Sequence, residues 1–179
     1  MKILLFAIAF SGIALNLFGV DFMNTYFYNA SYVDENVSSV TTNGSLFLKN
    51  TIVSDSVSVN GMLYSVLSDL GSLQINGECK LEDTTIRGNS LVNGSFTANR
   101  CHFLGGLSVA SEITYLENST ASQVVIRRIS NSDSVQSLMI SGKSLIRGDI
   151  VFESGQGNVV IKGDIEIQGD VVGGTVTHK

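Results

Sequence analysis

The sequence lacks proline and tryptophan, and charged residues make up only 15% of it. It also lacks the oppositely charged pairs, four residues apart, that stabilise exposed helices. In contrast, 18 glycines and 44% hydrophobic residues are spread along the 179 positions. This composition argues against a helical domain and predicts an all-β domain that is long enough to bury one core.

Positive charge is scarce as well. The chain has 11 Lys and Arg against 16 Asp and Glu, which gives a net charge of -5 and a pI near 4.9. A protein that binds nucleic acid needs clustered basic residues to contact the phosphates, and here the basic residues are scattered. The sequence therefore predicts no nucleic-acid partner.

Side chains that could carry chemistry are also few. The only histidines, His102 and His178, have no second ligand or nucleophile at a suitable spacing, and no insertion is long enough to build a cleft with paired carboxylates. Asp149, Asp164 and Asp170 each follow a glycine and could form an acidic ladder for Ca²⁺. We favour corner residues that accept backbone hydrogen bonds. We predict no enzyme, and no catalytic, cofactor-binding or metal-binding residues.

Residues 1–19 have the features of a signal peptide. Lys2 supplies the positive start, residues 3–10 form the apolar run, and residues 12–19 contain small residues. These features predict an exported protein, in the periplasm, at the cell surface or outside the cell. An uncleaved membrane anchor is the alternative, since residues 3–20 lie at the short limit for crossing a bilayer. The chain would contact a membrane only in that case.

One short sequence motif recurs along the chain at almost equal intervals. Apolar residues alternate with polar ones and end in a turn, which is Asn-Gly in four of the repeats. The turns fall at positions 43, 60, 76, 93, 110 and 127, so the spacing between them is nearly constant. A fixed period of strand-forming residues predicts a solenoid whose coils stack on one another. Asn-Gly suits its corners because both residues tolerate positive φ.

Counting each coil from its turn residue brings apolar residues into columns. Each column lies on one of three short segments in which side chains alternate inward and outward, as in a strand. We therefore predict a single-stranded, right-handed, three-sided parallel β-helix of about eight coils over residues 43–179. The predicted inward columns are Leu46, Leu63, Cys79, Phe96 and Ile113; Val53, Leu70, Ile86 and Phe103; Val57, Leu73, Leu107 and Val124; and Val59, Ile75, Val92, Val109 and Ile126.

Two stretches depart from this rhythm. Residues 20–42 alternate aromatic and polar residues without the period, and we predict a cap over the first coil, with an aromatic binding strip as the alternative. After Arg128 the polar residues 130–134 must bulge from a coil or form a loop. The pattern then resumes in shorter units, each the length of one side of the triangle.

Two cysteines, Cys79 and Cys101, would ordinarily be paired in an exported protein. Their positions in successive coils fall on different sides of the triangle. A disulfide needs Cα atoms within about 7 Å of each other. We therefore predict two buried free thiols, with a disulfide as the alternative.

The repeated segments resemble those of the bactofilins, polymer-forming bacterial cytoskeletal proteins. The segments that carry the resemblance include residues 57–61 (Val-Ser-Val-Asn-Gly) and 73–77 (Leu-Gln-Ile-Asn-Gly), and it covers residues 43–174 as a pattern. The resemblance implies a right-handed β-helix that polymerises end to end without a nucleotide. This chain differs from that family in its predicted export leader and its lack of proline.

For function, the sequence favours an exported structural protein that needs no cofactor and associates with itself through its coil ends. The last coils are regular and have little sequence after them to cover their strands, although residues 175–177 could fold over as a final strand. The alternative is an adhesin or a carbohydrate-binding surface module, for which Phe47 and Tyr64 are the outward aromatic residues. The residues predicted to carry self-assembly are Ile161, Ile165, Ile167, Val171 and Val172.

Overall fold

In the part of the chain that the structure describes, fifteen β-strands wind into one continuous solenoid of about nine turns. The computed structural model describes residues 26–130 and 134–179, and no helix occurs within them. The predicted signal peptide and residues 131–133 of the predicted bulge lie outside the described residues. The strands are β1 (Tyr26–Val33), β2 (Asn36–Lys49), β3 (Ile52–Val66), β4 (Asp69–Glu82), β5 (Thr85–Ile86), β6 (Ser90–Asn93), β7 (Phe96–Asn99), β8 (His102–Ala110), β9 (Ile113–Glu117), β10 (Thr120–Ile126), β11 (Gln136–Ile146), β12 (Ile150–Phe152), β13 (Gly157–Ile167), β14 (Val171–Val172) and β15 (Thr175–His178).

Parallel pairing between successive turns creates three sides. Side 1 stacks Val53, Leu70, Ile86 and Phe103, which lie in β3, β4, β5 and β8. Side 2 stacks the segments around Val57, Leu73 and Leu107, and side 3 stacks those around Leu63, Cys79 and Phe96. The long strands β2, β3 and β4 bend around corners and so belong to more than one side. The predicted three-sided parallel architecture is confirmed.

The inward columns form one continuous core. Alternation along each strand buries every second side chain, so that Leu63 and Ser65 are buried while Tyr64 between them is only half-buried. All but one of the predicted inward residues are buried. The confirmed ones are Leu46, Leu63, Cys79, Phe96, Val53, Leu70, Ile86, Phe103, Val57, Leu73, Leu107, Val124, Val59, Ile75, Val92, Val109 and Ile126.

Ile113 is the exception, and its prediction was wrong. Phe96 pairs with Thr114, so this coil is one residue longer than the preceding one, in which Cys79 pairs with Phe96. The extra residue shifts the alternation: Thr114 is fully buried, whereas Ile113 is 43% exposed. A period counted from turn to turn cannot locate an insertion within the coil, and Thr gives no apolar signal in a column of Leu and Phe.

The aromatic segment belongs to the solenoid. β1 pairs in parallel with β2, with Ala30 beside Leu46, so β1 adds a rung to side 3. The predicted boundary between residues 42 and 43 lies inside β2 and is not a structural break. Counting β1 brings the number of turns to about nine rather than the predicted eight. As the first described turn, β1 still occupies the position expected of a cap.

The longer connection after Arg128 does not interrupt the strand pairing on side 3. Leu138 follows Thr114 on side 3, and Val159 follows Leu138, although each step spans a longer stretch of chain than the earlier turns do. On side 3, β11 pairs in parallel with both β9 and β13. Coil length can therefore vary without disturbing the register of the strands.

The Asn-Gly turns form the corner between sides 2 and 3. Each asparagine donates its Nδ2 to the Oδ1 of the asparagine one turn earlier, at 2.8 Å from Asn60 to Asn43, 2.8 Å from Asn76 to Asn60 and 2.7 Å from Asn93 to Asn76. In these turns Gly61, Gly77 and Gly94 have positive φ, for example 141° at Gly77, whereas the asparagines do not. The asparagines therefore do not use the positive φ that they tolerate, and their side chains form an amide ladder.

The corner between sides 3 and 1 has a different backbone conformation and different hydrogen bonds. A residue other than glycine has a left-handed backbone there, with φ between 46° and 58°, at Asp34, Asn50, Leu67, Asp83, Arg100 and Asn118. In most turns the next residue has a small, buried side chain that donates a hydrogen bond to a backbone carbonyl. Thr84 Oγ1 donates to the Glu82 carbonyl at 2.8 Å, and Ser119 Oγ donates to the Glu117 carbonyl at 2.6 Å. These hydroxyls satisfy backbone groups that the turn leaves unpaired.

Cys101 occupies this hydroxyl column. Its Sγ lies 3.2 Å from the Asn99 carbonyl, and its amide donates to Ser119 Oγ at 3.0 Å. Both thiols are buried and free, as predicted. Burial raises the pKa of the Cys101 thiol to about 11 and also raises the pKa of Cys79. Neither thiol is poised to react in the folded protein.

We predict that the thiols resist alkylation in the folded protein. Iodoacetamide near pH 8 should add no label to folded protein and two labels to urea-denatured protein without reductant, read by mass spectrometry. Folding raises the pKa of both thiols. The free energy of unfolding is therefore unaffected by these groups below the ordinary thiol pKa and decreases as pH rises above it toward about 11. A Cys101→Ser variant should fold, since Thr84 and Ser119 fill the same column, and should lose less stability at high pH. A denatured mass without both labels would establish a disulfide.

Candidate functional site

The C-terminal turn of the solenoid ends in three strand edges. β13 forms its last rung on side 1, where Ile167 pairs with Ile146; β14 forms it on side 2; and β15 forms it on side 3. Within residues 26–130 and 134–179, none of these edges pairs with a further strand. The backbone donors and acceptors of one complete turn therefore face outward along the solenoid axis.

Apolar side chains fill the area enclosed by these edges. Ile165, Ile167 and Val171 are partly buried and pack on the core. Val176 continues the inward column of Val159 and is 43% exposed, and His178 continues the column of Ile161. This end surface, defined here as Ile165, Ile167, Val171, Val176 and His178, is a cross-section of the core that the described strands cover on one side.

The five residues predicted for self-assembly have different environments. Ile165, Ile167 and Val171 lie on the end surface, partly buried against the core. Ile161 is only 8% exposed because β15 covers it, which is the final strand that the sequence left as an alternative. Val172 is 50% exposed, but it lies in the outward column of side 2 beside Val151.

Val176 and His178 were not predicted as members of this surface. The sequence contains the signal, because Val176 follows Val159 at the spacing of one regular coil. Thr, His and Gly dilute the apolar alternation of residues 173–179, so the last strand is hard to recognise before its pairing is known.

Charged residues surround the end surface. Lys162 and Asp164 lie at the corner between sides 3 and 1, and Lys179 extends past the end of β15, where its amide donates to the Ile161 carbonyl at 3.0 Å. Glu166 is exposed on side 1 and accepts a hydrogen bond from Gln168 at 2.7 Å. The rim thus carries both signs of charge around an apolar centre, as protein interfaces commonly do.

Asp149, at one of the later corners, has a structural role. The Asp170 amide donates to Asp149 Oδ1 at 2.9 Å, so this carboxylate accepts a backbone hydrogen bond as the sequence suggested. No cluster of three or more His, Cys, Asp or Glu side chains suitable for a metal ion occurs in the described part of the chain. His102 is exposed on side 1, far along the chain from the end surface.

An aromatic groove lies near the other end of side 3. The rings of Phe47 and Tyr64 are 5.6 Å apart, and Lys80 Nζ is 5.4 Å from the centre of the Tyr64 ring. The groove of about 410 Å³ beside them is lined mainly by apolar atoms, with Met62 and Ser45 at its sides. It is shallow and open along the face of the sheet.

A second groove, of about 650 Å³, marks the end of the asparagine ladder. Ala110 lacks an amide to continue the ladder, and Arg127 reaches past it to donate to Asn93 Oδ1 and to the Val92 carbonyl. Ser111 and Glu112 line the same groove. Arg127 is thus engaged in closing the ladder, which gives this groove a structural explanation.

Comparisons with protein-family models, with curated protein sequences and with solved structures find no match to this chain. A search of the described residues for helices that are long and apolar enough to cross a membrane finds none. The chain's own geometry is therefore the basis for interpreting the end surface.

Proposed function

We propose that the protein is an exported, non-enzymatic structural protein that assembles through its C-terminal turn. The observation that carries this proposal is the end surface, where three strand edges surround apolar side chains. The features of residues 1–19 support export, and the pattern shared with the bactofilins supports end-to-end assembly. The periplasm, the cell surface or the medium would be its location.

The physical reason is the same as for stacking inside the solenoid. Internal turns bury their inward side chains on both sides and pair their backbones above and below, as Val159 does between Leu138 and Val176. Among the described strands, the last turn has one such neighbour. A second molecule would remove the apolar side chains from water, at roughly 25 cal/mol per Å² buried, and would pair the free edges.

We predict that Ile167→Lys prevents assembly. A lysine at this inward position places a charge in the centre of the contact, where desolvation without a partner is costly. Gln168→Lys adds the same charge at an exposed neighbouring position and serves as the control. Light scattering with analytical ultracentrifugation should find assemblies for the unmodified chain and Gln168→Lys, and monomers for Ile167→Lys with unchanged circular dichroism. A strictly monomeric unmodified chain at high concentration would refute the proposal.

The second candidate function is that of an adhesin or carbohydrate-binding surface module, and the pair of Phe47 and Tyr64 favours it. Aromatic faces stack on sugar rings, and these two rings lie side by side on an open sheet face. A glycan array would test this function. Binding that disappears in Phe47→Ala and Tyr64→Ala, and persists in Tyr115→Ala on the same face, would support it.

A further inference from the structure

We propose that Asn93 is a site of deamidation, at which the side-chain amide becomes a carboxylate that binds Arg127. The reaction uses groups of the chain itself and water. This inference goes beyond the proposed function and does not depend on assembly. Three observations carry it: the end of strand β6 at Asn93, the guanidinium on the Asn93 amide oxygen and the irregular turn that follows the asparagine ladder.

Deamidation at an Asn-Gly pair begins with the backbone nitrogen of the glycine. This nitrogen loses its proton and attacks the Cγ atom of the asparagine. The new C–N bond closes a five-membered succinimide ring, and Nδ2 takes up a proton and departs as ammonia. Water then opens the ring. Attack of water on the former side-chain carbonyl gives aspartate, and attack on the backbone carbonyl gives isoaspartate, whose main chain is one atom longer. Glycine favours ring closure because it has no side chain to obstruct the approach.

The four Asn-Gly pairs of the chain have different positions in the strands. Those at Asn43, Asn60 and Asn76 lie inside the continuous strands β2, β3 and β4. Asn93 is the last residue of β6, and β7 begins only at Phe96. Ring closure requires the asparagine backbone to leave the extended conformation, so that the following nitrogen reaches Cγ. This movement disrupts strand pairing on both sides within a strand and on one side at a strand end.

The turn that follows the ladder is also less regular. The Gly94 amide donates to the Ala110 carbonyl at 2.9 Å, and this hydrogen bond must break before the nitrogen can attack. At this corner β8 ends at Ala110 and β9 begins at Ile113, in the coil that contains the extra residue. Gly61 and Gly77, in contrast, pair with each other inside β3 and β4. Local opening is therefore easier at Gly94 than at these two glycines.

Arg127 activates the amide of Asn93. Its Nη2 donates to Asn93 Oδ1 and, at 3.2 Å, to the Val92 carbonyl. Negative charge develops on Oδ1 during ring closure, and a cationic donor that is already in place stabilises this charge. The corresponding oxygens of Asn60 and Asn76 accept hydrogen bonds from the neutral amide of the next asparagine. The electrostatics of the ladder therefore favour the reaction at Asn93 over Asn60 and Asn76.

The same guanidinium accommodates the product. An aspartate at position 93 would place a carboxylate against Arg127 and form a charge-assisted hydrogen bond. Arg127 Nε is buried and has no hydrogen-bond partner in the described part of the chain, so the guanidinium has a donor that is still unused. The cost is the hydrogen bond that Asn93 Nδ2 donates to Asn76 at 2.7 Å. A carboxylate at position 76 would have the same cost and would meet only the neutral amide of Asn93 on its other side.

Peptide mapping of the aged protein tests the assignment of the site. Folded protein is incubated at mildly alkaline pH, digested and analysed by mass spectrometry for the replacement of NH2 by OH. We expect Asn93 to react at least about tenfold faster than Asn60 and Asn76, since one well-placed donor to a developing oxyanion has an effect of this size or more. Incubation in urea is the control. Each of these asparagines follows Val or Ile and precedes Gly, so the three rates should become equal.

Arg127→Leu tests the role of the guanidinium. In the folded variant, deamidation of Asn93 should slow by at least about tenfold, and Arg127→Lys, which keeps a positive charge, should restore part of the rate. Circular dichroism monitors folding. An unchanged or faster reaction in folded Arg127→Leu would overturn the activation by Arg127. Equal rates at the three asparagines of the folded unmodified chain, or no reaction at Asn93, would overturn the site itself.

Asn93→Asp tests the accommodation of the product without the reaction. Because Arg127 neutralises the new charge, this variant should lower the midpoint of thermal unfolding less than Asn76→Asp does. Added salt should reduce the difference, since it screens the ion pair. Equal losses in the two variants at low salt would contradict the binding of the carboxylate by Arg127. Neither result bears on self-assembly, because position 93 lies in the middle of the solenoid.

Discussion

Replacement of Phe96 by Asp is expected to unfold the middle of the solenoid. Phe96 is fully buried, and its ring lies 5.9 Å from the ring of Phe103, so it fills the core between sides 3 and 1. Loss of such a side chain costs about 3–5 kcal/mol, and an unpaired buried carboxylate adds several more. Since domains of this size are stable by about 5–15 kcal/mol, most of the stability would be lost.

Thr97 provides the matched control one residue away. It is half-buried in the outward column, between Lys80 and Tyr115 on the adjacent turns. Thr97→Asp should therefore change the free energy of unfolding by less than about 1 kcal/mol. Urea titrations followed by circular dichroism measure both variants. Equal losses at Phe96 and Thr97 would mean that the assignment of inward and outward positions is wrong.

A single methyl group at Gly77 is expected to have a comparably large effect. A Cβ at Gly77 would lie 2.0 Å from the carbonyl oxygen of Gly61, and the backbone has a φ of 141°, which other residues rarely adopt. The obstruction is backbone of the adjacent turn and cannot rotate away. Gly77→Ala should therefore separate two turns at the corner that carries the asparagine ladder, at a cost of roughly 3 kcal/mol or more.

Gly106→Ala tests whether the effect at Gly77 comes from contact between turns. A Cβ at Gly106 would meet its nearest neighbour, Asn89 Oδ1, at 3.6 Å, an ordinary contact distance. This substitution should change the midpoint of thermal unfolding little. A Gly77→Ala protein as stable as Gly106→Ala would show that the turns at the ladder can move apart at low cost.

The sequence predicted the architecture because stacking repeats the same environment at a fixed interval. Leu46, Leu63, Cys79 and Phe96 differ in shape, yet each occupies the same position on side 3, and a simple count between turns aligns them. Alternation within each segment then separates inward from outward residues. The period and the alternation together were sufficient to place most of the core.

The corners were harder to predict, because their interactions join groups that are distant in sequence. Leu67 is an unexpected residue for a left-handed backbone, and only the hydrogen bonds around Ser68 explain why the chain turns there. The end surface depended on the same kind of information. Ile167 and Val171 were found from their apolar character, whereas His178 became part of the site through its pairing with Ile161.

The independence of coil length and strand register has a consequence for how such a protein can change in evolution. Thr114 and Leu138 remain neighbours on side 3 although the chain between them is longer than in other turns. Extra residues at a corner leave the core untouched, whereas an in-frame duplication of one whole coil would repeat every contact that is already present. Genes for such chains can thus acquire new loops at corners and new length by copying turns, and selection can act on the two separately.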